Sequence, residues 1–330
     1  MKKVLVLATS YLDNLATHPP EQGRAKTMMD ELVANSHGEI EIVYRCERNP
    51  DEPLKTYEFE KVAAVIADLE VYDRKLLSQI GIKGGGSLGL IARYGIGYNS
   101  VDIRAAADYG VIVTNCPGCN TVPTAEWTHS TILDVAGRRI LHYMTASAGK
   151  PKKGPSRLDV SGKVLGIVGT GNIGKMVFKL MQGYGMKVIA NDIFPDKKWA
   201  GDKGVEYVNL DELCRTADFI TLHAAADRTI ITAEKIAKMK PTTVLVNCAR
   251  GILVDHKAVY HAVKAGKIWG YGVDEIWSDR ELPLEGLNII ASPHVGSDTD
   301  MGKIRMQIIS TRAVIDFLQG KTPKHIIKPG

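Results

Sequence analysis

A chain of 330 residues with 45% hydrophobic residues suggests two domains by length and can bury ordinary cores. A formal net charge of +5 set against 37 acidic residues, with no basic run interleaved with aromatics, implies no nucleic-acid partner. No apolar run approaches the ~20 residues needed to cross a bilayer, and the five cysteines, an odd number, argue for a reducing, cytoplasmic setting.

The apolar start Val4–Ala8 reads as a buried strand, with too short an apolar core for a signal peptide. Further strands are expected at 40–44, 64–67, 90–93 and 111–114, and helices at 24–35, 74–80 and 101–109. This alternation predicts a parallel sheet with helices on its faces. Gly84-x-Gly86-x-x-Gly89 matches a dinucleotide triplet, but a strand follows it rather than a helix, so it reads as a loop. Cys116-Pro-Gly-Cys119 has no further metal ligands at motif spacing, and no metal site is expected; the two thiols read as unpaired loop residues. One long helix is expected from about 124 to 148. Lys150 to Gly162, which includes the basic Lys150 to Lys153, reads as an exposed connection.

The stretch from Val164 to Asp192 carries the clearest signal. An apolar strand runs into Gly169-x-Gly171-x-x-Gly174, a helix with Ile173, Val177, Leu180 and Met181 at helical spacing follows, and a second strand ends on Asp192. This is the context a dinucleotide fingerprint requires. Gly169 permits the tight turn, Gly171 lets a pyrophosphate approach the backbone, and Gly174 lets the helix pack on the strand. The N–H groups near Asn172 and Ile173, at the positive helix end, supply an anion site. Asp192 is placed to accept from a ribose 2′-hydroxyl and would repel a 2′-phosphate, which favours NAD over NADP; Lys197 and Lys198 keep NADP open. Strands continue at 206–208, 219–223, 244–247, 269–273 and 288–291, with helices at 210–216, 233–239, 254–265 and, last, 301–319.

A nicotinamide cofactor calls for an acid or base and a group that holds the substrate. Arg250 stands just past the strand 244–247, where a guanidinium can clamp a carboxylate with two parallel hydrogen bonds. His294 follows another apolar strand; an imidazole suits proton exchange with an alcohol or carbonyl. Among the nine histidines its competitor is His223, which also ends a strand. The segment from Asp274 to Glu281 offers several carboxylates that could orient the imidazole.

These features together resemble the D-isomer-specific 2-hydroxyacid dehydrogenase family. The resemblance rests on Arg93-Tyr-Gly-Ile-Gly-Tyr-Asn-Ser-Val-Asp102, Val113-Thr-Asn-Cys-Pro-Gly118, Asn120-Thr-Val-Pro-Thr-Ala-Glu126, Leu165 to Gly174, Val246-Asn-Cys-Ala-Arg-Gly251 and Ser292-Pro-His-Val-Gly296. It implies an α/β protein of two doubly wound parallel-sheet domains. A Rossmann cofactor domain, 124–296, would be inserted into a flavodoxin-like substrate domain, 1–123 and 297–330. By this resemblance Arg250 binds the substrate carboxylate and carbonyl oxygen, and His294 is the acid/base. Backbone N–H groups at Ile96 and Gly97, with Asn120, hold the carboxylate. Cys248, Ala249 and Arg250, Asp274, and the loop from His294 through Gly296 hold the nicotinamide half. The family's glutamate partner of the histidine falls on Asp279, five residues past Asp274, with Glu281 the alternative. Tyr11, Arg93 and Tyr98 are candidates for substrate choice. The expected activity is NAD-dependent interconversion of a small (R)-2-hydroxy acid and its 2-oxo acid, in a homodimer joined through the cofactor domains. The competing readings are a formate dehydrogenase, which prefers glutamine where Asp279 stands, and a non-enzymatic NAD(H)-sensing corepressor or scaffold.

Overall fold

The computed structural model describes residues 1–12, 24–49, 51–151 and 156–329, and the chain divides into two compact units, 1–120 with 298–330 and 121–297. Lys152 and Lys153 of the basic connection lie outside the described residues.

In chain order the first unit contains β1 (Lys2–Val6), α1 (Arg24–Ala34), β2 (Ile40–Tyr44), β3 (Val62–Ala67), α2 (Arg74–Ile80), β4 (Leu90–Arg93), α3 (Ile103–Asp108) and β5 (Ile112–Thr114). The second contains α4 (Thr121–Ala136), α5 (Arg139–Ser147), β6 (Val164–Val168), α6 (Asn172–Met181), β7 (Lys187–Asn191), α7 (Lys197–Lys203), β8 (Glu206–Tyr207), α8 (Leu210–Thr216), β9 (Phe219–Leu222), α9 (Ala233–Ala237), β10 (Val244–Asn247), α10 (His256–Lys264), β11 (Gly270–Val273) and β12 (Ile289–Ala291). Helix α11 (Asp300–Leu318) returns to the first unit.

The first unit is a five-stranded parallel sheet in the order β2-β1-β3-β4-β5, a flavodoxin-like winding. Its central strands β3 and β4 are buried on both faces, which is why they read as continuous apolar runs rather than alternating ones. One face packs Leu5, Leu7, Val65, Leu77 and Ile91 together; the other packs Val4, Val6, Ile66 and Leu90 against Met29 of α1 and Val314 of α11. Thr299 opens α11, its hydroxyl accepting from the Gly302 N–H at 3.1 Å. Tyr11 and Gln307 then tie the helix to the N-terminal strand: Tyr11 bonds Thr311, and Gln307 donates to the Tyr11 carbonyl at 2.9 Å.

The second unit is a seven-stranded parallel sheet, β12-β11-β10-β9-β6-β7-β8. Counted from β6, the winding steps outward through β7 and β8, then reverses and steps through β9, β10, β11 and β12. That is the Rossmann order with one strand added, and its switch point lies between β6 and β9. The triplet at Gly84 is a short 3-10 turn, Ile82–Gly84, leading into β4, so that copy is the expected loop.

The long helix expected from 124 to 148 is instead two helices, broken at Gly137-Arg138. The last carbonyls of α4 have partners elsewhere. Trp269 Nε1 donates to the Val135 and Ala136 carbonyls at 3.1 and 3.2 Å, Asn288 Nδ2 to Val135 at 3.0 Å and the Leu158 N–H to Ala136 at 3.1 Å. Arg138 turns the chain in a left-handed conformation, φ 49°, and its guanidinium stacks 4.0 Å from the Trp269 ring centroid. Among the described residues no helix is long and apolar enough to cross a membrane, and no cluster of His, Cys, Asp and Glu could hold a metal.

Candidate active site in the second unit

The glycine turn after β6 is shaped by contacts that exclude side chains. Gly169 has φ +92°, and a Cβ there would lie 2.6 Å from the backbone at the end of β9. A Cβ on Gly174 would run into the Gly169 carbonyl oxygen. Gly171 is different: a Cβ built there meets nothing within 4 Å. The space beside it, over the first turn of α6 with its N–H groups pointing out of the helix, suits a pyrophosphate. The residues fit a dinucleotide.

Asp192 follows β7 and is tied to this glycine turn. Its carboxylate accepts from the Thr170 N–H and hydroxyl at 2.6 and 2.9 Å and from the Phe194 N–H at 2.9 Å. Burial alone would raise its pKa; the hydrogen bonds from Phe194 and Thr170 outweigh burial and hold it below the usual carboxylate value. Asp192 is therefore an anion at neutral pH. Ile193 and Phe194 beside it are exposed.

Three neighbouring strands of the same sheet end in the loops that carry the other candidates. β10, β11 and β12 are paired in parallel, so their carboxyl ends lie on one edge, spread over about 10 Å. Arg250 follows β10 and is exposed, with Nη1 donating to the Ala249 carbonyl at 2.8 Å. Its backbone is fixed on both sides of one peptide. Asn247 Nδ2 donates to the Arg250 carbonyl at 2.8 Å, and the Gly251 N–H donates to the Glu275 carboxylate. Asp274, after β11, is buried and accepts three hydrogen bonds: from the Ser292 hydroxyl at 2.6 Å and from the Val295 and Gly296 N–H groups at 2.9 and 2.7 Å. These bonds span His294, which is exposed and held in a left-handed conformation, φ 59°. Such a backbone costs of order 1–3 kcal/mol for a residue with a Cβ. The Asp274 clamp holds it there.

A sequence profile described as the NAD binding domain of the D-isomer specific 2-hydroxyacid dehydrogenases matches residues 131–296. D-3-phosphoglycerate dehydrogenase from Methanocaldococcus jannaschii is 36% identical over 250 residues, 73% of this chain and 47% of the relative. The chain thus spans about half the length of that relative. Glyoxylate reductase from Thermococcus litoralis is 31% identical over 314 residues, 90% of this chain and 94% of its own. The crystal structure of the TT0316 protein from Thermus thermophilus superposes with a TM-score of 0.80 at 27% identity, covering 98% of this chain and 99% of that one.

The chain belongs to the D-isomer specific 2-hydroxyacid dehydrogenase family.

Its second unit carries the NAD-binding domain of the 2-hydroxyacid dehydrogenases. The fold has two parallel-sheet α/β units of the expected windings. Cys248 and Ala249 lie in the Arg250 loop, the Cys248 thiol buried and pushed up to about 12 by that burial. His223 follows β9 at the switch point, Nε2 2.9 Å from the Thr221 hydroxyl and Nδ1 shielded without a partner among the described residues. Burial lowers its pKa to about 3, so at neutral pH the ring is uncharged and is not the imidazolium that a general acid requires. Neither Asp279 nor Glu281 is hydrogen-bonded to the His294 ring; the Asp279 carboxylate accepts from the Glu281 N–H at 3.0 Å.

In the first unit, Ile96 and Gly97 lie in the loop after β4, and Asn120 has a shielded Oδ1 without a partner among the described residues. Two of the three side chains expected to choose a substrate do not present themselves. Tyr11 and Arg93 are each only 3% exposed, Tyr11 under α11 and Arg93 on backbone carbonyls, whereas Tyr98 is 40% exposed. Asn247 was not legible as a site residue, and Glu275 only as one of several carboxylates after the strand. Glu275 sits next to Asp274 in sequence, but its partner is a backbone N–H on the neighbouring strand's loop, which no spacing rule reveals.

Proposed function

We propose that the protein is an NAD-dependent oxidoreductase that interconverts a small (R)-2-hydroxy acid and its 2-oxo acid. The observation that carries the reading is the placing of Arg250, Asp274 and His294 at the ends of three adjacent parallel strands, in the sheet whose first strand enters the dinucleotide cradle. In this reading residues 124–296 bind the cofactor, while 1–123 and 297–330 bind the substrate. Held by the cradle residues, a nicotinamide cofactor would supply the hydride for the carbonyl carbon.

The protein's own groups do the rest. Arg250 takes the substrate carboxylate and carbonyl oxygen with its planar fork, drawing electrons from the carbonyl carbon. The Ile96 and Gly97 N–H groups and Asn120 hold the carboxylate. His294, protonated, gives its proton to the carbonyl oxygen as the C–H bond forms; in the reverse direction it takes the hydroxyl proton. In this reading Asp279 is the carboxylate that partners His294, with Glu281, two residues on, as the alternative. The backbone from Cys248 to Arg250, Asp274, and His294 through Gly296 bound the nicotinamide pocket; Gly169, Gly171, Asn172, Ile173 and Gly174 take the pyrophosphate, and Asp192 the ribose. The reading extends to a homodimer through the cofactor unit, supported by α5, which exposes Ile140, Tyr143 and Met144. Sedimentation gives the mass.

The test follows NADH absorbance with glyoxylate, hydroxypyruvate and the 2-oxo acid of 3-phosphoglycerate. Turnover is expected on at least one of them. His294→Ala should lower kcat by about 10²–10⁴ and Arg250→Ala should abolish saturation by the acid, both retaining NADH binding. NADH binding without oxidation of any acid, or a near wild-type rate in either variant, sinks the assignment.

A further inference from the structure

The loop after β4 holds three successive peptides whose carbonyls are all occupied. The Gly95 carbonyl accepts from the Cys116 N–H at 2.9 Å, the Ile96 carbonyl from Asn115 Nδ2 at 2.9 Å and the Gly97 carbonyl from Arg93 Nε at 3.0 Å. The peptides are trans, so each N–H points opposite its carbonyl. The N–H groups of Ile96, Gly97 and Tyr98 are therefore turned away from the three donors, and among the described residues nothing accepts from them. An extended strand would alternate its carbonyls. Here three consecutive ones are drawn back toward the ends of β4 and β5, with Gly95 at φ +147° making the bend. Successive N–H groups aimed outward in this way form an anion-binding concavity.

Arg93 is the centre of the arrangement. It is 3% exposed, its Nη1 donates to the Ala67 carbonyl at 2.8 Å, and the Arg93 carbonyl accepts from the Cys116 thiol at 3.2 Å. Its guanidinium is a fixed cation directly behind the loop. We propose that Arg93 and Asn115 are positioning residues, which hold the 95–98 loop so that its three N–H groups form a ready-made seat for the substrate carboxylate. The proposal rests on the function proposed above, and it assigns the seat's shape to two side chains that never touch the substrate. It also gives Cys116 a task. Burial pushes its thiol up to about 12, so it stays protonated and serves as a hydrogen-bond donor in the brace rather than as a redox group.

The probe is oxamate, a non-reacting analogue of a 2-oxo acid, titrated calorimetrically into the NADH-loaded protein. Arg93→Lys keeps the charge but cannot reach the Gly97 and Ala67 carbonyls in two directions; Asn115→Ala removes one donor and no charge. Each should weaken oxamate about tenfold or more, the worth of one charge-assisted hydrogen bond. NADH affinity should stay within twofold, and KM for the oxidised acid should rise while kcat holds. Oxamate affinity within twofold of wild type in a folded variant overturns the proposal, as does failure of the wild type to bind oxamate. If Arg93→Lys does not fold, Asn115→Ala decides alone. A wild type that binds oxamate but reduces no 2-oxo acid sinks the function above while leaving the seat standing.

Discussion

His223 shows what burial does to one ionisable side chain at the centre of a sheet. With Nε2 on Thr221 and Nδ1 shielded, the ring is held neutral down to a pKa of about 3. An unfolded chain takes up this proton near its ordinary value of about 6.5. Between those two values the unfolded state binds more protons than the folded one, so stability falls as pH falls; above about 6.5 the group is neutral in both states and contributes no slope. Replacing it by Gln should therefore flatten the acid side. The denaturant midpoint of the wild type should drop more between pH 7.5 and pH 5 than that of His223→Gln. An equal drop in the two proteins would show that the imidazole is not the group responsible.

At the scale of elements, what could be read from sequence was what neighbours in sequence decide. The strand, glycine turn, helix and acid from Val164 to Asp192 are specified within 29 residues by apolar spacing and by glycines, two of which, Gly169 and Gly174, leave no room for a Cβ. The break between α4 and α5 was hidden, because its cause is Trp269, more than 130 residues away, whose indole N–H takes the last carbonyls of α4. Asp274 was visible as an acid after a strand, but that both its oxygens clamp the 292–296 loop around His294 depends on two strands pairing in register. Tyr11 and Arg93 were misplaced for the same reason: a polar residue at a strand end can face outward or brace the loop behind it, and only packing decides. The helix break makes its own prediction. Trp269→Phe keeps a ring under Arg138 and removes the indole donor, leaving the Val135 and Ala136 carbonyls with one partner each, Asn288 and the Leu158 N–H. The loss should be about 0.5–1.5 kcal/mol in chemical denaturation, the net worth of a hydrogen bond, with NADH affinity unchanged. No loss of stability would mean that Asn288 and Leu158 suffice to end the helix.

For the whole molecule the decisive fact is that the first unit is not continuous in sequence. Its sheet is complete by Thr114, yet one face of that sheet is covered by α11, which the chain supplies only after the whole second unit. Ala313 and Val314 pack with Val4, Val6, Ile66 and Leu90, and Thr311 and Gln307 satisfy Tyr11 and its carbonyl. Uncovering Val314 alone forfeits about 1.5–3 kcal/mol, and the remaining contacts of a 19-residue helix multiply that cost beyond the few kcal/mol by which a domain is stable. The second unit has no such debt: its sheet and covering helices all fall within 121–297. A chain ending at Ser297 should therefore lose amide protection in β1, β3 and β4 while keeping it in β6, β9 and β10. Hydrogen exchange read by mass spectrometry over those strands separates the outcomes. Retained protection in β3 and β4 would mean that the five-stranded sheet stands without its returning helix, and that α11 serves the first unit in some way other than covering its core.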